Sequence, residues 1–315
     1  FGSRRVEVFG VGRERAMLSP WKPSVVGGVL VLLTSLGSSV PSVQLNNGIE
    51  MPVIAFAAET WDSKTCENAT GLALQAGFRF IWSSALVGNA CQMAQQSAMA
   101  KSGIPRSELF VAGTVADPTC KGATACYEQT SRGAEAQFAL LQEDVLDMLM
   151  LDYPAKANCD SIRGQWRAFE ELYAAKRVRS IAVSNFSPDQ LLCILQDRRS
   201  TVPVANQMPY SVGHGQDPVV ADAGKYGVVV QAYSPLGGAF GPLARDPLCS
   251  SIGKHHGKSS AQVALRWILQ HNVTIATQST KLEHLQSDLA LFDFQLSHEE
   301  MHQLDAYTPA AALVV

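Results

Sequence analysis

Eight short apolar runs, each followed by a stretch of helical periodicity, alternate along this chain. The runs cover residues 53–57, 78–82, 110–114, 148–152, 178–183, 204–207, 228–232 and 274–277. The helical patterns fall at 65–75, 89–102, 130–144, 162–174, 188–197, 218–226, 260–271 and 281–290. Ser187-Pro188-Asp189 supplies an N-cap with proline at the first helical position. Eight strand–helix units in series predict an α/β fold, a (β/α)8 TIM barrel, whose functional residues stand just past the C-terminal ends of the strands. A length of 315 residues fits one such barrel or two ordinary domains, and 47% hydrophobic residues suffice for a sizeable core.

The first 42 residues read as an extension, with the barrel over 43–315. Arg4, Arg5, Arg13, Arg15 and Lys22 make the start basic, and no charge follows from Pro23 to Ile49. The apolar stretch 25–40 has 16 residues, against about 20 for a full bilayer span. Three readings follow: a transmembrane helix, a hydrophobic arm lying on another protein, or an export signal. Phe1 followed by Arg and Ser resembles the Phe-led transit peptides of red-lineage secondary plastids. The expected location is an organelle membrane, a plastid thylakoid before a mitochondrial inner membrane.

A net charge of −3 without a long basic run argues against nucleic-acid binding. The seven cysteines form no CxxC pair, which argues against a zinc ribbon or a thioredoxin-like site. Cys120 and Cys126 flank a short loop and could join in an oxidising compartment. All seven histidines lie at or beyond His214, so the first two thirds of the chain offer no imidazole. His298-Glu299-Glu300-Met301-His302 matches H-E-x-x-H, but Ser297 and Glu300 read as a capping box and no third ligand follows. His255-His256, flanked by Lys and Gly, reads as a solvated loop pair.

Several segments together resemble the aldo-keto reductase family over about residues 43–306. They are Leu45-Asn46-Asn47-Gly48-Ile49-Glu50-Met51-Pro52, Glu108-Leu109-Phe110-Val111, Ile181-Ala182-Val183-Ser184-Asn185-Phe186, Asn206-Gln207, Ala232-Tyr233-Ser234-Pro235-Leu236-Gly237 and Ala261-Gln262-Val263-Ala264-Leu265-Arg266-Trp267. The resemblance implies a barrel of aldo-keto reductase type and carbonyl reduction with NADPH. In that family a Tyr donates the proton, a Lys paired with an Asp lowers the Tyr pKa, and a His orients the carbonyl. A Tyr needs that help because its ordinary pKa is about 10.

All four positions differ here. Asp is replaced by Trp82, Tyr by Val87, Lys by Thr114 and His by Asp152. Val87 has no proton to give, Thr114 carries no charge, and Trp82 adds bulk that is expected to fill the barrel mouth. Asp152 reads as a carboxylate without an obvious partner. The residues that the resemblance assigns to the nicotinamide end, Ser184, Asn185, Gln207 and Tyr233, match, and Ser234 and Leu236 match the pyrophosphate loop. At the adenosine phosphate, Ser279 and Thr280 match, but the family's Lys is Gln278, its Arg is His284, and its Glu-Asn pair is Ser287-Asp288. Losing Lys and Arg removes a charge-assisted clamp on a dianion. The expectation is a catalytically inactive barrel without a cofactor, serving as an accessory subunit of a membrane protein complex, a photosynthetic one being favoured, and docked through residues 1–43. The alternatives are an NADP(H)-dependent oxidoreductase with an atypical site, using Asp152 or a cysteine such as Cys91, and a module that senses the cofactor without turning it over.

Overall fold

A computed structural model describes residues 32–33, 40–213, 218–238 and 241–308. Eleven strands and ten α-helices are assigned among them, two of the strands forming a hairpin ahead of the barrel. The strands are β1 (Leu32–Leu33), β2 (Ser42–Gln44), β3 (Glu50–Pro52), β4 (Ile54–Ala57), β5 (Phe80–Ser83), β6 (Phe110–Ala116), β7 (Met148–Asp152), β8 (Ile181–Ser184), β9 (Ala205–Pro209), β10 (Val229–Tyr233) and β11 (Thr274–Thr277). The helices are α1 (Ser63–Ala76), α2 (Asn89–Lys101), α3 (Ala123–Leu141), α4 (Cys159–Ala174), α5 (Pro188–Leu195), α6 (Pro218–Lys225), α7 (Pro247–His256), α8 (Ser260–Gln270), α9 (Leu282–Leu289) and α10 (His298–Asp305).

Strands β4 to β11 pair in parallel and in order, and β11 returns to β4, closing an eight-stranded barrel. Every residue of β4, β5, β7, β8 and β11 is buried, as it must be where side chains fill the barrel on one face and helices cover the other. The hairpin β2–β3 lies across the N-terminal end of the barrel. Asn46 Nδ2 donates to the Pro203 carbonyl at 2.9 Å and Asn47 Nδ2 to the Arg179 carbonyl at 3.0 Å. Buried Asp147 holds the same end, paired with Arg106 at 2.8 Å and Arg179 at 2.7 Å. The opposite end carries the strand C-termini and is open.

Capping explains where several helices start. Ser187, Ser259 and Ser297 each form a complete capping box, with Gln190, Gln262 and Glu300 respectively. Gly77 ends α1 with φ 115°, a left-handed conformation that a side chain would resist. Three disulfides tie the helical ring: Cys66–Cys91 joins α1 to α2, Cys159–Cys193 joins α4 to α5, and Cys120–Cys126 closes the loop entering α3. Cys249 is a free thiol, and burial pushes its pKa up to about 12.

Two expectations are corrected here. His255 and His256 end α7 rather than sitting in a loop, and His256 Nε2 contacts Glu300 at 2.9 Å, fastening α10. Asp246 caps that helix and Pro247 opens it, a start signal stronger than the Lys and Gly that suggested a loop. The 25–40 stretch lies mostly outside the described residues. Its described members Leu32 and Leu33 pair antiparallel with Val43 and Ser42, as strand rather than helix. Among the described residues no helix is long and apolar enough to cross a membrane.

Candidate active site

The C-terminal ends of the barrel strands enclose a cavity of about 150 Å³. Its lining includes Trp82 of β5, Asp152 of β7, Ser184 of β8, Gln207 of β9 and Tyr233 of β10, with Asn185 and Ser234 just beyond their strands. The predicted residues thus converge because each closes a strand of one barrel. Leu86, Tyr153, Ala276 and Gln278 complete much of the wall, and of these only Gln278 figured in the sequence reading.

Asp152 is buried, and it has partners, contrary to the expectation. Its Oδ1 accepts from Asn185 Nδ2 at 2.9 Å, and the same amide donates to Ser184 Oγ at 3.0 Å. Asn185 Oδ1 in turn accepts from the Tyr233 hydroxyl at 2.9 Å. Burial raises the Asp152 pKa above the usual carboxylate range, and bonds from Ser184, Asn185 and the Tyr153 backbone only partly offset it. Burial, with Tyr153 and Asp152 nearby, drives the Tyr233 pKa far above that of a free phenol. Among the described residues no Lys, Arg or His lines this cavity to counter those shifts. Gln207 is locked by its own bond, Nε2 to Gln231 Oε1 at 2.7 Å.

Backbone strain gathers at this mouth. Tyr153, Asn185 and Ser234 have φ of 57°, 61° and 48°, and each is the first residue after its strand. A left-handed conformation costs a non-glycine residue about 1–2 kcal/mol, and such outliers concentrate where a chain must aim a side chain. The turn after each strand here directs Tyr153 to the rim and Asn185 across to Asp152.

The replaced positions behave differently from one another. Trp82 walls the cavity but does not fill it, correcting the expectation of a plugged mouth; its indole Nε1–H is buried without a hydrogen-bond partner. Thr114 is fully buried and its Oγ1 accepts from the Ala85 backbone N–H at 2.8 Å, so it anchors the 3₁₀ turn Ala85–Val87. Val87 packs toward Ala58, Cys66, Cys91 and Ala94, and its neighbour Leu86 reaches the cavity instead. Cys91 is tied to Cys66, which removes it as a nucleophile or acid.

The cavity opens onto a groove of about 1270 Å³, and Ala58, Leu86, Ser234, Ala276 and Gln278 border both. Leu236 lines the groove, and Gly238 and Gly241 expose backbone there in left-handed conformations. Four titratable groups line the groove: Arg245, Lys281, His284 and the acidic Glu59. Neither Arg245 nor Lys281 has an ion-pair partner among the described residues. Ser279 and Thr280 stand just outside the lining, Ser279 Oγ lying 3.4 Å from His284 Nδ1. Gln278 Nε2 donates to Glu59 Oε2 at 2.9 Å, linking two loops at the groove edge. Arg245 and Lys281 line the groove at positions other than those where the sequence has lost Lys and Arg. No cluster of His, Cys, Asp and Glu able to hold a metal occurs among the described residues, and His298 and His302 are exposed on α10.

Comparison with known proteins agrees with this geometry. The model of the Aldo/keto reductase family matches residues 59–308. The chain is 31% identical over 277 residues to morphine 6-dehydrogenase of Pseudomonas putida, covering 84% of this chain and 90% of that one. It is 32% identical over 268 residues to glyoxal reductase of Bacillus subtilis, covering 84% and 92%. The structure of a Bombyx mori aldo-keto reductase in complex with NADP superposes with a TM-score of 0.74 at 26% identity, over 84% of this chain and 92% of that one. These relatives are named as oxidoreductases, which overturns the reading of this barrel as an inactive structural subunit. That reading counted the lost groups and took Asp152 as unpartnered, whereas the mouth holds an open, polar, strained cavity joined to a groove edged with cations. The chain belongs to the aldo/keto reductase family.

Proposed function

We propose that this protein is an NADP(H)-dependent oxidoreductase interconverting a small carbonyl compound and its alcohol at the barrel mouth. The carrying observation is the junction of a polar cavity with a long groove bearing Arg245 and Lys281 on its far side. The residues fit the cofactor at both ends. Unpaired cations and two exposed glycine backbones suit a phosphate-bearing tail, since Arg and Lys bind phosphate through charge-assisted bonds. Ser184, Asn185 and Gln207 offer fixed amide and hydroxyl groups for a carboxamide, and Tyr233 offers a ring.

Ser184, Asn185, Gln207 and Tyr233 would hold the nicotinamide end. Ser234 and Leu236 would follow the pyrophosphate, and Arg245, Lys281 and His284, with Ser279 and Thr280 beside them, the adenosine phosphate. Bound there, the cofactor supplies a hydride for carbonyl reduction. The protein's own part is to orient the carbonyl, shed water and deliver a proton. A 150 Å³ space takes about one benzene-sized molecule, and a site that must also admit the nicotinamide end leaves room only for short carbonyls.

NADPH fluorescence titration together with NADPH consumption on glyoxal tests the proposal. Saturable quenching at concentrations in the range of about 1 μM to 1 mM, with turnover dependent on glyoxal, is expected. Absence of both would sink it.

A further inference from the structure

We infer that Asp152 is the proton donor of this site: its carboxyl, held by Asn185 on the cavity wall at the end of β7, protonates the carbonyl oxygen during reduction. The inference rests on the oxidoreductase reading above and assigns a role that the family's own catalytic positions no longer fill here. Val87 has no proton and lies outside the cavity lining, and Thr114 points its oxygen at the Ala85 backbone.

Elimination and geometry lead to the same group. The cavity lining offers few protic side chains: Asp152, Tyr153, Tyr233, and the hydroxyls of Ser184 and Ser234. Aliphatic hydroxyls are far too weakly acidic to donate near neutral pH. Tyr233 already donates to Asn185 Oδ1 at 2.9 Å and has no cation beside it to make it a better acid. Tyr153 stands at the rim, 39% exposed and in contact with Tyr233, and no cation of the described lining is there to assist a phenol. Asp152 is 3% exposed and lines the cavity, its Oδ1 accepting from the Asn185 amide at 2.9 Å, with further bonds from Ser184 and the Tyr153 backbone. Burial raises its pKa above the ordinary carboxylate value, the direction that a carboxyl needs in order to donate. The titratable groups facing it are Tyr153 and Tyr233, and no cation lines the cavity to pull its proton off.

In the step, the C=O π bond breaks as the carbonyl carbon gains hydride and the oxygen takes the Asp152 proton. NADPH is the two-electron reductant and ends as NADP⁺. The Asp152 carboxylate regains a proton from solvent through the open rim at Leu86, which is 55% exposed, and Tyr153. In the alcohol-oxidising direction the same carboxylate is the base.

The test compares wild type with D152N, D152E and Y153F, using NADPH and glyoxal. D152N is near-isosteric and keeps an acceptor for Asn185. It is expected to bind NADPH within about 3-fold of wild type by fluorescence while kcat falls by about 100-fold or more, the usual range for a lost general acid. D152E, which retains a carboxyl, should recover part of that loss, and Y153F should stay within about 5-fold. Wild-type kcat for reduction should fall as pH rises through the Asp152 titration, a limb absent from the residual D152N activity. Independently of turnover, ¹³C NMR of the Asp152 carboxyl in the free protein should show a midpoint above that of ordinary aspartate. Wild-type turnover with an equally active D152N, or a carboxyl midpoint at the ordinary value, overturns the inference and leaves the oxidoreductase reading standing. A wild-type protein that neither binds nor oxidises NADPH overturns that reading and the inference with it.

Discussion

Replacing Asp288 by Asn should stabilise the protein by an amount that grows with pH. Asp288 sits in α9, 6% exposed, with Oδ2 accepting from Thr277 Oγ1 at 2.9 Å. Burial raises its pKa from 3.8 to about 7, against a small opposing effect of the Thr277 bond. Between those two values the folded chain holds a proton that the unfolded chain has released. Stability therefore falls as pH rises across that window, and the loss is complete above pH 7. A shift of about 3 units at 1.36 kcal/mol each makes the full cost roughly 4 kcal/mol; about 1.5 kcal/mol of it is already present at pH 5. Asn keeps an oxygen for Thr277 and does not ionise, so its stability lacks this slope. Its buried N–H₂ adds a cost that does not depend on pH, so the difference between two pH values isolates the effect. From pH 5 to pH 8.5 the advantage of D288N should grow by about 2.5 kcal/mol. With an unfolding entropy of roughly 0.5 kcal/mol/K for a barrel this size, that is about 5 °C in Tm. Thermal melts of both proteins in matched buffers measure it. An equal Tm difference at both pH values would refute the argument that burial holds this carboxyl neutral.

Three further outcomes are expected. R245A and K281A should each raise the NADPH KM about 5- to 10-fold with kcat nearly unchanged, since each removes one charge-assisted contact at the groove and nothing at the cavity; steady-state kinetics decide. C66A/C91A should lower stability by about 3 kcal/mol, because the bond closes a 25-residue separation between α1 and α2; reductant, which can also open the other two disulfides, should lower the wild-type Tm at least as far, and an unchanged melt of the variant would count against that bond. G164A should be among the most damaging single-methyl additions, costing about 3 kcal/mol or more, because its Cβ would lie 2.1 Å from the Ala123 carbonyl oxygen where α4 crosses α3; a melt within 1 °C of wild type, about 0.5 kcal/mol, would disprove that contact.

Periodicity made the barrel legible, and in two strands, 148–152 and 274–277, the bounds agree with the structure. Helix α3 starts at Ala123 rather than near residue 130, because Ala123 to Gln129 carries little apolar periodicity and the Cys120–Cys126 bond fixes that end. Helix α7 was missed although Asp246-Pro247 announces it. At the site, residues at strand ends were readable because the fold rule sends function there. Leu86 and Tyr153 were not, since a left-handed φ at Tyr153 and a 3₁₀ turn anchored by Thr114 leave no mark in composition. Arg245 and Lys281 escaped because they come from a loop and a helix N-cap that only the closed barrel sets along one groove. The Cys66–Cys91 pair is 25 residues apart and is joined by the packing of α1 on α2, which spacing does not reveal.

The four changed positions make more sense together than singly. A phenol needs a cation nearby to donate near neutral pH, and a buried cation needs an anion, so the family's Tyr, Lys and Asp form one electrostatic unit. Removing Lys alone would strand a buried carboxylate, at a cost of several kcal/mol. Here both charges are gone: Trp82 and Thr114 are neutral, and Thr114 is reused as a backbone anchor. A carboxyl has the opposite requirement from a phenol. Its ordinary pKa is too low for a donor near neutral pH, so it must be raised, and a neighbouring cation would lower it. A cavity with no Lys, Arg or His in its described lining, and with Asp152 buried on its wall, shifts the carboxyl in that direction. The absence of the phenol–cation unit is thus the condition under which Asp152 can work as an acid, and reintroducing the cation tests it. T114K should depress the Asp152 midpoint toward the ordinary carboxylate range and slow reduction at neutral pH, with no Tyr at position 87 to benefit. A T114K protein that reduces glyoxal faster than wild type would show that the lost cation, rather than burial of Asp152, limits the chemistry of this barrel.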